Sequence, residues 1–332
     1  MALHRCAQCG HLAEVPNEQI GQKLNCIRCG QPGMAHDTVM FVGKLLERYF
    51  ASRREIEALR EATRESSEGD SPEETAPAAG TDSDDGNSRA LTTPEQHAPL
   101  ERWLSGRRIQ ARFDHEAVDT TGFFDEAAEL LAVDPVLGGD LLGRVRWAYR
   151  KDVPFLNIRL SEMSQKEAQA YNSLCQKLYG YSFFSKYAYL RNDKVIRLTL
   201  QQAPTIRRFF DGGWLEWLAF MTLMRRARQR GKGFSCARNA QIVFDNEDLH
   251  ELDVVMLVNG QTQPICIECK TGEFRADIPK MVRLRQRLGL DRRHFIVCAT
   301  ELDPQQALGM TAMYELNFVT PEHLGELLES LL

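Results

Sequence analysis

No stretch of the 332-residue chain stays apolar long enough to cross a bilayer, so a membrane-spanning helix is not expected. Nor does an apolar segment follow the first residues. Met1-Ala2-Leu3-His4-Arg5 runs directly into a cysteine pair, where a signal peptide would place its hydrophobic stretch, and a cytoplasmic protein is expected. The nine cysteines do not look like a disulfide framework: four stand in two Cys-x2-Cys pairs and the rest are scattered, which fits metal binding in a reducing compartment. A net positive charge is also lacking: the balance is -5, which argues against a polyanionic partner until it is divided along the chain. Residues 66–98 alone carry -7, eight acids against Arg89, and removing them leaves about +2 for the rest.

What is present falls into five segments. Residues 1–36 hold Cys6-Ala7-Gln8-Cys9-Gly10 and Cys26-Ile27-Arg28-Cys29-Gly30, the spacing of a four-cysteine zinc ribbon. All four ligand places would be filled, so this zinc is expected to be structural rather than catalytic. Residues 37–65 carry Val39, Val42, Leu45, Leu46, Tyr49 and Phe50 at helical spacing, an amphipathic helix too long for the ribbon to cover. Self-pairing, and hence a homodimer, is expected of it. Residues 66–98 are acidic, rich in Ser, Pro and Gly, and aperiodic, and read as a disordered linker. Residues 99–205 form a middle domain with helical patterns at 123–131, 141–149 and 165–178, followed by a hairpin over Arg191-Asn192-Asp193-Lys194. A winged helix and a small helical domain with a structural hairpin both fit, and its aromatics, Trp103 and Trp147 among them, read as core.

Residues 206–332 carry the chemistry. Gly212-Gly213-Trp214-Leu215-Glu216 opens an apolar helix whose first stretch, 214–224, has Glu216 as its single acid. Two strand runs follow, Glu251-Leu252-Asp253-Val254-Val255 and Ile265-Cys266-Ile267-Glu268-Cys269-Lys270, on either side of Asn259-Gly260. That dipeptide favours a two-residue turn, which would pair Val258 with Gln261 and set Asp253 opposite Cys266. With a side-chain period of two, Glu268 and Lys270 then share the face of Asp253, and any loop of even length preserves this. Two carboxylates and a lysine converging on one face suit Mg²⁺ or Mn²⁺ bound through hard oxygen ligands, the lysine orienting or deprotonating a water. A salt-bridged sheet edge is the plainer alternative. Cys266 and Cys269, an odd step apart, point to opposite faces and are not expected to share a metal. Arginines at 225–238 and 283–287 would flank the acids and meet phosphates, though Arg285 and Arg287 also fit an ordinary solvated helix face.

These motifs resemble the PD-(D/E)xK nuclease superfamily over roughly the last 125 residues. Within it, Gly-Gly-Trp-Leu-Glu, Glu-Leu-Asp-Val and Ile-Glu-Cys-Lys-Thr look most like the nuclease domains of CARF-type CRISPR ancillary nucleases. The resemblance implies an α/β fold, a restriction-endonuclease-like mixed sheet flanked by helices. It implies Asp253 and Glu268 as metal ligands, Lys270 as the catalytic lysine, and Glu216 as a helix-borne acid helping to hold metal or water. It further implies a metal-dependent endonuclease acting on nucleic acid, DNA in the first place, in defence against foreign nucleic acid and with a defence-system protein as a possible partner. Leu252 stands where the superfamily expects proline, and no segment upstream looks like a nucleotide-sensing domain. The rival reading is a non-catalytic zinc-ribbon nucleic-acid-binding or scaffold protein built on an inactive nuclease fold.

Overall fold

The computed structural model describes residues 2–5, 11–38, 94–113, 123–246 and 248–332. The expected amphipathic helix and most of the expected acidic linker lie outside these residues. Contacts divide the chain into two units, Met1–Asp82 and Ser83–Leu332. No helix among the described residues is long and apolar enough to cross a membrane.

In the first unit, strands β1 (Ala2–Arg5), β2 (Leu12–Val15), β3 (Lys23–Asn25) and β4 (Pro32–Asp37) form an antiparallel sheet in the order β2-β1-β4-β3.

The second unit begins with helix α1 (Pro94–Ser105), so the last five residues assigned to the linker are helical. Leu100 and Leu104, one turn apart, are the reason: both are buried, and they tie the helix to the main sheet. Strand β5 (Gln110–Arg112) then joins that sheet at its edge. Helices α2 (Phe124–Val133) and α3 (Pro135–Arg150) follow, separated only by Asp134, whose carboxylate caps α3 by accepting the N–H groups of Val136 and Leu137. Strand β6 (Phe155–Arg159), helix α4 (Gln165–Gly180) and strands β7 (Phe184–Leu190) and β8 (Val195–Leu200) complete this part. The expected helices and hairpin are all present. Strand β6, which the sequence pattern did not announce, separates α3 from α4 and makes a three-stranded sheet in the order β6-β8-β7.

Helix α5 (Pro204–Arg208) runs through a widened turn, Phe209–Gly213, into helix α6 (Trp214–Gln229). The chain turns at Gly212, whose φ of 151° suits a residue without a Cβ. Strands β9 (Phe234–Val243), β10 (Leu249–Val258) and β11 (Ile265–Lys270) form a meander, followed by helix α7 (Ile278–Leu288), strand β12 (Phe295–Ala299), helix α8 (Pro304–Met313), strand β13 (Asn317–Val319) and helix α9 (Leu324–Glu329). The sheet order is β13-β12-β11-β10-β9-β5, parallel from β11 to β13 and antiparallel elsewhere. This is the expected mixed sheet with helices on both faces. One face meets α6, α9 and the whole of the 123–200 region in a single core; the other meets α1, α7 and α8. Helix α6 is apolar around most of its circumference because it is buried on both sides, between the sheet and α2.

The turn after β10 differs in length from the expected one. Gln261 N–H does donate to Val258 O at 3.0 Å across Asn259-Gly260, but β11 starts only at Ile265. The loop therefore has even length, and the pairing is Val255 with Cys266 rather than Asp253 with Cys266. The register is displaced by two residues, which leaves the paired residues 254–256 and 265–267 on their expected faces.

Candidate active site

The strand pair that carries the acids does not stay regular to its end. Pairing of β10 with β11 runs from Met256–Ile265 to Val254–Ile267 and stops there. One residue further, Asp253 aims along the sheet, and its Oδ2 accepts the backbone N–H of Cys269 at 2.7 Å. The cause lies on the neighbouring strand. Asn239 on β9 has φ +55°, and the side-chain alternation inverts there: Cys236 faces the α6 core, while Ala240 and Ile242 face the α7 core despite the even spacing. On β10, Val254 and Met256 face α6, whereas Leu252 faces α7. Leu252 was expected on the face of Val254, and this inversion moves it. Asp253 sits at the inversion itself, which is why its carboxylate lies between strands instead of on either surface.

Glu268 and Lys270 follow on β11 at the ordinary two-residue step and share a face. Lys270 Nζ lies 3.3 Å from Glu268 Oε2, with the glutamate side chain 9% exposed and the lysine 27%. Burial drives the Glu268 carboxyl above its usual range and the nearby Asp253 charge drives it further, with Lys270 pulling the other way. Burial likewise raises Asp253, opposed by Lys270 and by the Cys269 N–H. For Lys270, burial works against the ammonium form, but Glu268 and Asp253 outweigh it and the net shift is upward. The lysine is therefore held as a cation, suited to orienting a water or stabilising negative charge rather than to deprotonating the water.

Glu216 approaches from the α6 side. Arg238 Nη1 donates to its Oε2 at 3.0 Å, and the guanidinium lies over the Trp217 ring at 4.0 Å. Burial and the Asp253 charge raise the Glu216 carboxyl, while Arg238 and Asn239 lower it. Arg238 and Asn239 thus position the helix-borne acid from β9. The sequence placed Arg238 in one basic run with Arg225 and Arg230, and only the sheet brings it under Glu216. The other arginines are largely engaged with acids: Arg225 with Glu129, Arg226 with Glu329, Arg285 with Glu315, and Arg287 with Asp248. The expected basic flanks therefore contribute less free charge than the sequence suggested.

Around the strand ends, three carboxyl groups (Glu216, Asp253, Glu268) gather beside two cations (Lys270, Arg238), and burial raises all three carboxyls, so a further cation would stabilise their ionised forms. Asn239 Oδ1 is also buried without a hydrogen-bond partner. A hard divalent cation fits this donor set. Among the described residues, no three His, Cys, Asp or Glu side chains stand close enough to form a complete cage, so water or substrate oxygens would fill the coordination. Next to Lys270, at the carboxyl ends of β11 and β12, a hollow of about 440 Å³ opens between Thr271, Thr300, Arg146 and Trp214.

Of the four cysteines expected to hold zinc, Cys6 and Cys9 lie outside the described residues. Cys26 is buried and Cys29 exposed. Arg28 N–H donates to Cys26 Sγ at 3.4 Å, and Gly30 N–H donates to Cys26 O at 2.8 Å with Gly30 at φ +73°. This is a tight turn, and Gly30 after Cys29 supplies the positive φ it needs. Cys266 and Cys269 face opposite cores.

No family model matches the sequence, and no curated protein matches it. Two of the solved structures that are similar in part illustrate the likeness. Protein VC1899 from Vibrio cholerae aligns at 22% identity and a TM-score of 0.46, over 70% of this chain and 60% of that one. Can2 from Sulfobacillus thermosulfidooxidans, solved in complex with cyclic tetra-adenylate (cA4), aligns at 18% identity and a TM-score of 0.48, over 70% and 59%. The chain thus spans less than two thirds of the length of these two structures.

Proposed function

We propose that this chain is a divalent-metal-dependent endonuclease that hydrolyses phosphodiester bonds in nucleic acid, DNA in the first place. The observation that carries the reading is the split between β10 and β11, where Asp253, Glu268 and Lys270 come together in a buried, carboxyl-rich place. An inert strand pair would keep neutral side chains there, because unneeded buried carboxylates cost stability. Asp253 and Glu268 would hold Mg²⁺ or Mn²⁺, with Glu216 acting from the opposite side of the sheet. Bound there, the metal would polarise a phosphate oxygen and acidify a water. Lys270 contributes a fixed positive charge for the attacking water or the phosphate. Arg238 positions Glu216 and opposes the burial and the Asp253 charge that raise its carboxyl.

The supporting parts follow the same reading. A structural zinc would be held by Cys6, Cys9, Cys26 and Cys29, a set the Cys26–Gly30 turn suits. Residues 37–65 would pair two copies, and light scattering on the full chain showing a strict monomer would remove that part. The motif resemblance adds a role in defence against foreign nucleic acid.

The decisive test is cleavage of single- and double-stranded DNA and RNA by the purified chain in Mg²⁺, Mn²⁺ or chelator. Turnover that needs the metal and is lost in Asp253→Ala and Lys270→Ala, both folded, is expected. Turnover that survives in both variants rejects the assignment.

A further inference from the structure

The three-stranded sheet buries one face and leaves the other uncovered. Leu156, Ile158, Ile196 and Leu198 point into the core. The register puts Phe155 beside Thr199 and Lys186, Asn157 beside Arg197 and Ala188, and Arg159 beside Val195 and Leu190, all on the outer face. That face carries three cations and no acid. Phe155 is 49% exposed at its edge. Across a hollow of about 590 Å³ stands Trp147 on α3, 50% exposed, with Arg144 one turn before it and Lys151 one turn after. The sequence pattern had placed Trp147 in a core. Two large aromatic rings in water have no structural benefit, since both could be polar without disturbing the buried side.

The acid that lines the hollow neutralises Arg144 and not the three cations of the sheet. Asp140 is engaged by Arg144 at 2.7 Å and by the Tyr171 hydroxyl at 2.7 Å. Asp152 is the one acid between 150 and 159, in the turn that links α3 to β6. Asn157 Oδ1 accepts from Arg197 Nε at 3.1 Å, which holds the guanidinium flat along the sheet. Exposed rings among fixed cations form a surface for unpaired bases, which stack on aromatics while the backbone phosphates meet Lys and Arg. A second copy of the chain suits the face poorly, because a two-fold contact would bring cations against cations. A connection to the strand ends also exists. Gly143 of α3 lines both this hollow and the one at Thr271, so the two adjoin at a residue that has no side chain and open space where a Cβ would be.

We infer that Trp147 and Phe155, with Arg197, Arg159 and Lys186, form a binding platform for single-stranded nucleic acid, separate from the carboxylates. The inference rests on the proposed function only in naming nucleic acid as what the chain handles; the platform itself needs no metal and no turnover.

The test uses the full chain in chelator, where the proposed cleavage cannot occur, with a fluorescent oligothymidylate and a duplex of equal length as probes. Removing both rings together (Trp147→Ala with Phe155→Ala) weakens oligothymidylate binding by roughly tenfold or more, leaves the thermal melt unchanged and affects the duplex less. Trp147→Phe alone retains most of the affinity. Arg197→Gln lowers the salt dependence by a slope of about 0.7, the value for one phosphate contact on a single strand. Unchanged oligothymidylate affinity in the double variant overturns the inference, and so does equal loss on the duplex. A change in oligomeric state by light scattering with affinity intact would instead mark the face as a contact between copies. Because no metal is present, binding that persists in a protein shown not to cleave leaves the platform standing, and cleavage by a protein whose rings do not matter leaves the catalytic reading standing.

Discussion

The ladder between β10 and β11 has two ends made from the same two strands. At the end nearer the loop, Met256 pairs with Ile265 and Val254 with Ile267, all buried and all facing α6. At the other end the pairing stops, Asp253 turns into the gap to take the Cys269 N–H, and Glu268 and Lys270 close on each other. The first end illustrates what stabilises this fold, a period of two that delivers apolar side chains to one core. The second shows what that regularity has to give up. Three ionisable side chains are placed where a continued ladder would have kept one apolar row, and the inversion at Asn239 makes room for them. Stability and chemistry therefore occupy opposite ends of one strand pair, and each can be broken without the other.

Breaking the charged end gives the largest effect. Asp253→Asn keeps the shape and loses the charge, and Lys270→Ala loses the cation; each is expected to lower metal-dependent cleavage by roughly 10²–10³-fold or more, the range for removing one preorganised charge-stabilising group. Asp253→Asn should melt at or above the wild-type temperature in chelator, since burial already disfavours the Asp253 charge, whereas Lys270→Ala should melt below it, because Glu268 and Asp253 lose the cation that opposes their burial. Melting of Asp253→Asn far below wild type would mean that this carboxylate supports the fold and not the chemistry. The neutral end should behave in the opposite way. Met256→Ala removes a fully buried side chain and should cost about 2–5 kcal/mol in chemical denaturation, with the cleavage rate per folded molecule unchanged.

How far the two ends could be seen in the sequence follows from what each depends on. The meeting of Asp253, Glu268 and Lys270 needed only the period of two and a loop of even length, so it survived an error of two residues in register. The buried helix at Glu216 was legible because apolar residues surround that acid on nearly every side. Asn239 was not legible, since asparagine in a strand pattern does not declare a positive φ, and the inversion that places Asp253 between the strands was missed with it. The Arg238–Glu216 pair was missed because a run of arginines looks uniform in sequence, whereas the chain turns between Arg230 and Arg238. Trp147 was misread for a related reason: a lone aromatic at helical spacing gives no sign of which side of the helix is covered.

A pH series sharpens the comparison further. Glu268 has a folded-state pKa pushed up to about 8, from the 4.5 of an ordinary glutamate, by burial and then by Asp253. Between those values the folded chain holds a proton that the unfolded chain has released, so raising the pH favours unfolding. In chelator, stability should fall as pH rises from about 5 to 8, and Glu268→Gln should flatten the slope. Glu126, also raised to about 8, remains in both proteins and cancels in the difference. Thermal melts across that range decide it, and an identical slope in the two proteins would place the Glu268 proton elsewhere.

The smallest expected effect concerns the link between α6 and the charged end. Gly212 has φ +151°, and a Cβ on it would lie 3.0 Å from Thr271 Oγ1, beside Lys270. Gly212→Ala should therefore cost about 1–3 kcal/mol from backbone strain, with a modest loss of cleavage as Thr271 gives way. Gly272, one residue beyond Thr271, has open space where its Cβ would be, and Gly272→Ala should leave both stability and rate near wild type. If the two alanine variants behave alike, the opening of α6 is not braced against the end of β11, and Glu216 and Lys270 are set by their own elements alone. If only Gly212→Ala loses activity, the glycine that starts the apolar helix and the threonine that follows the lysine belong to one contact, which fixes the helix-borne acid relative to the strand-borne charges.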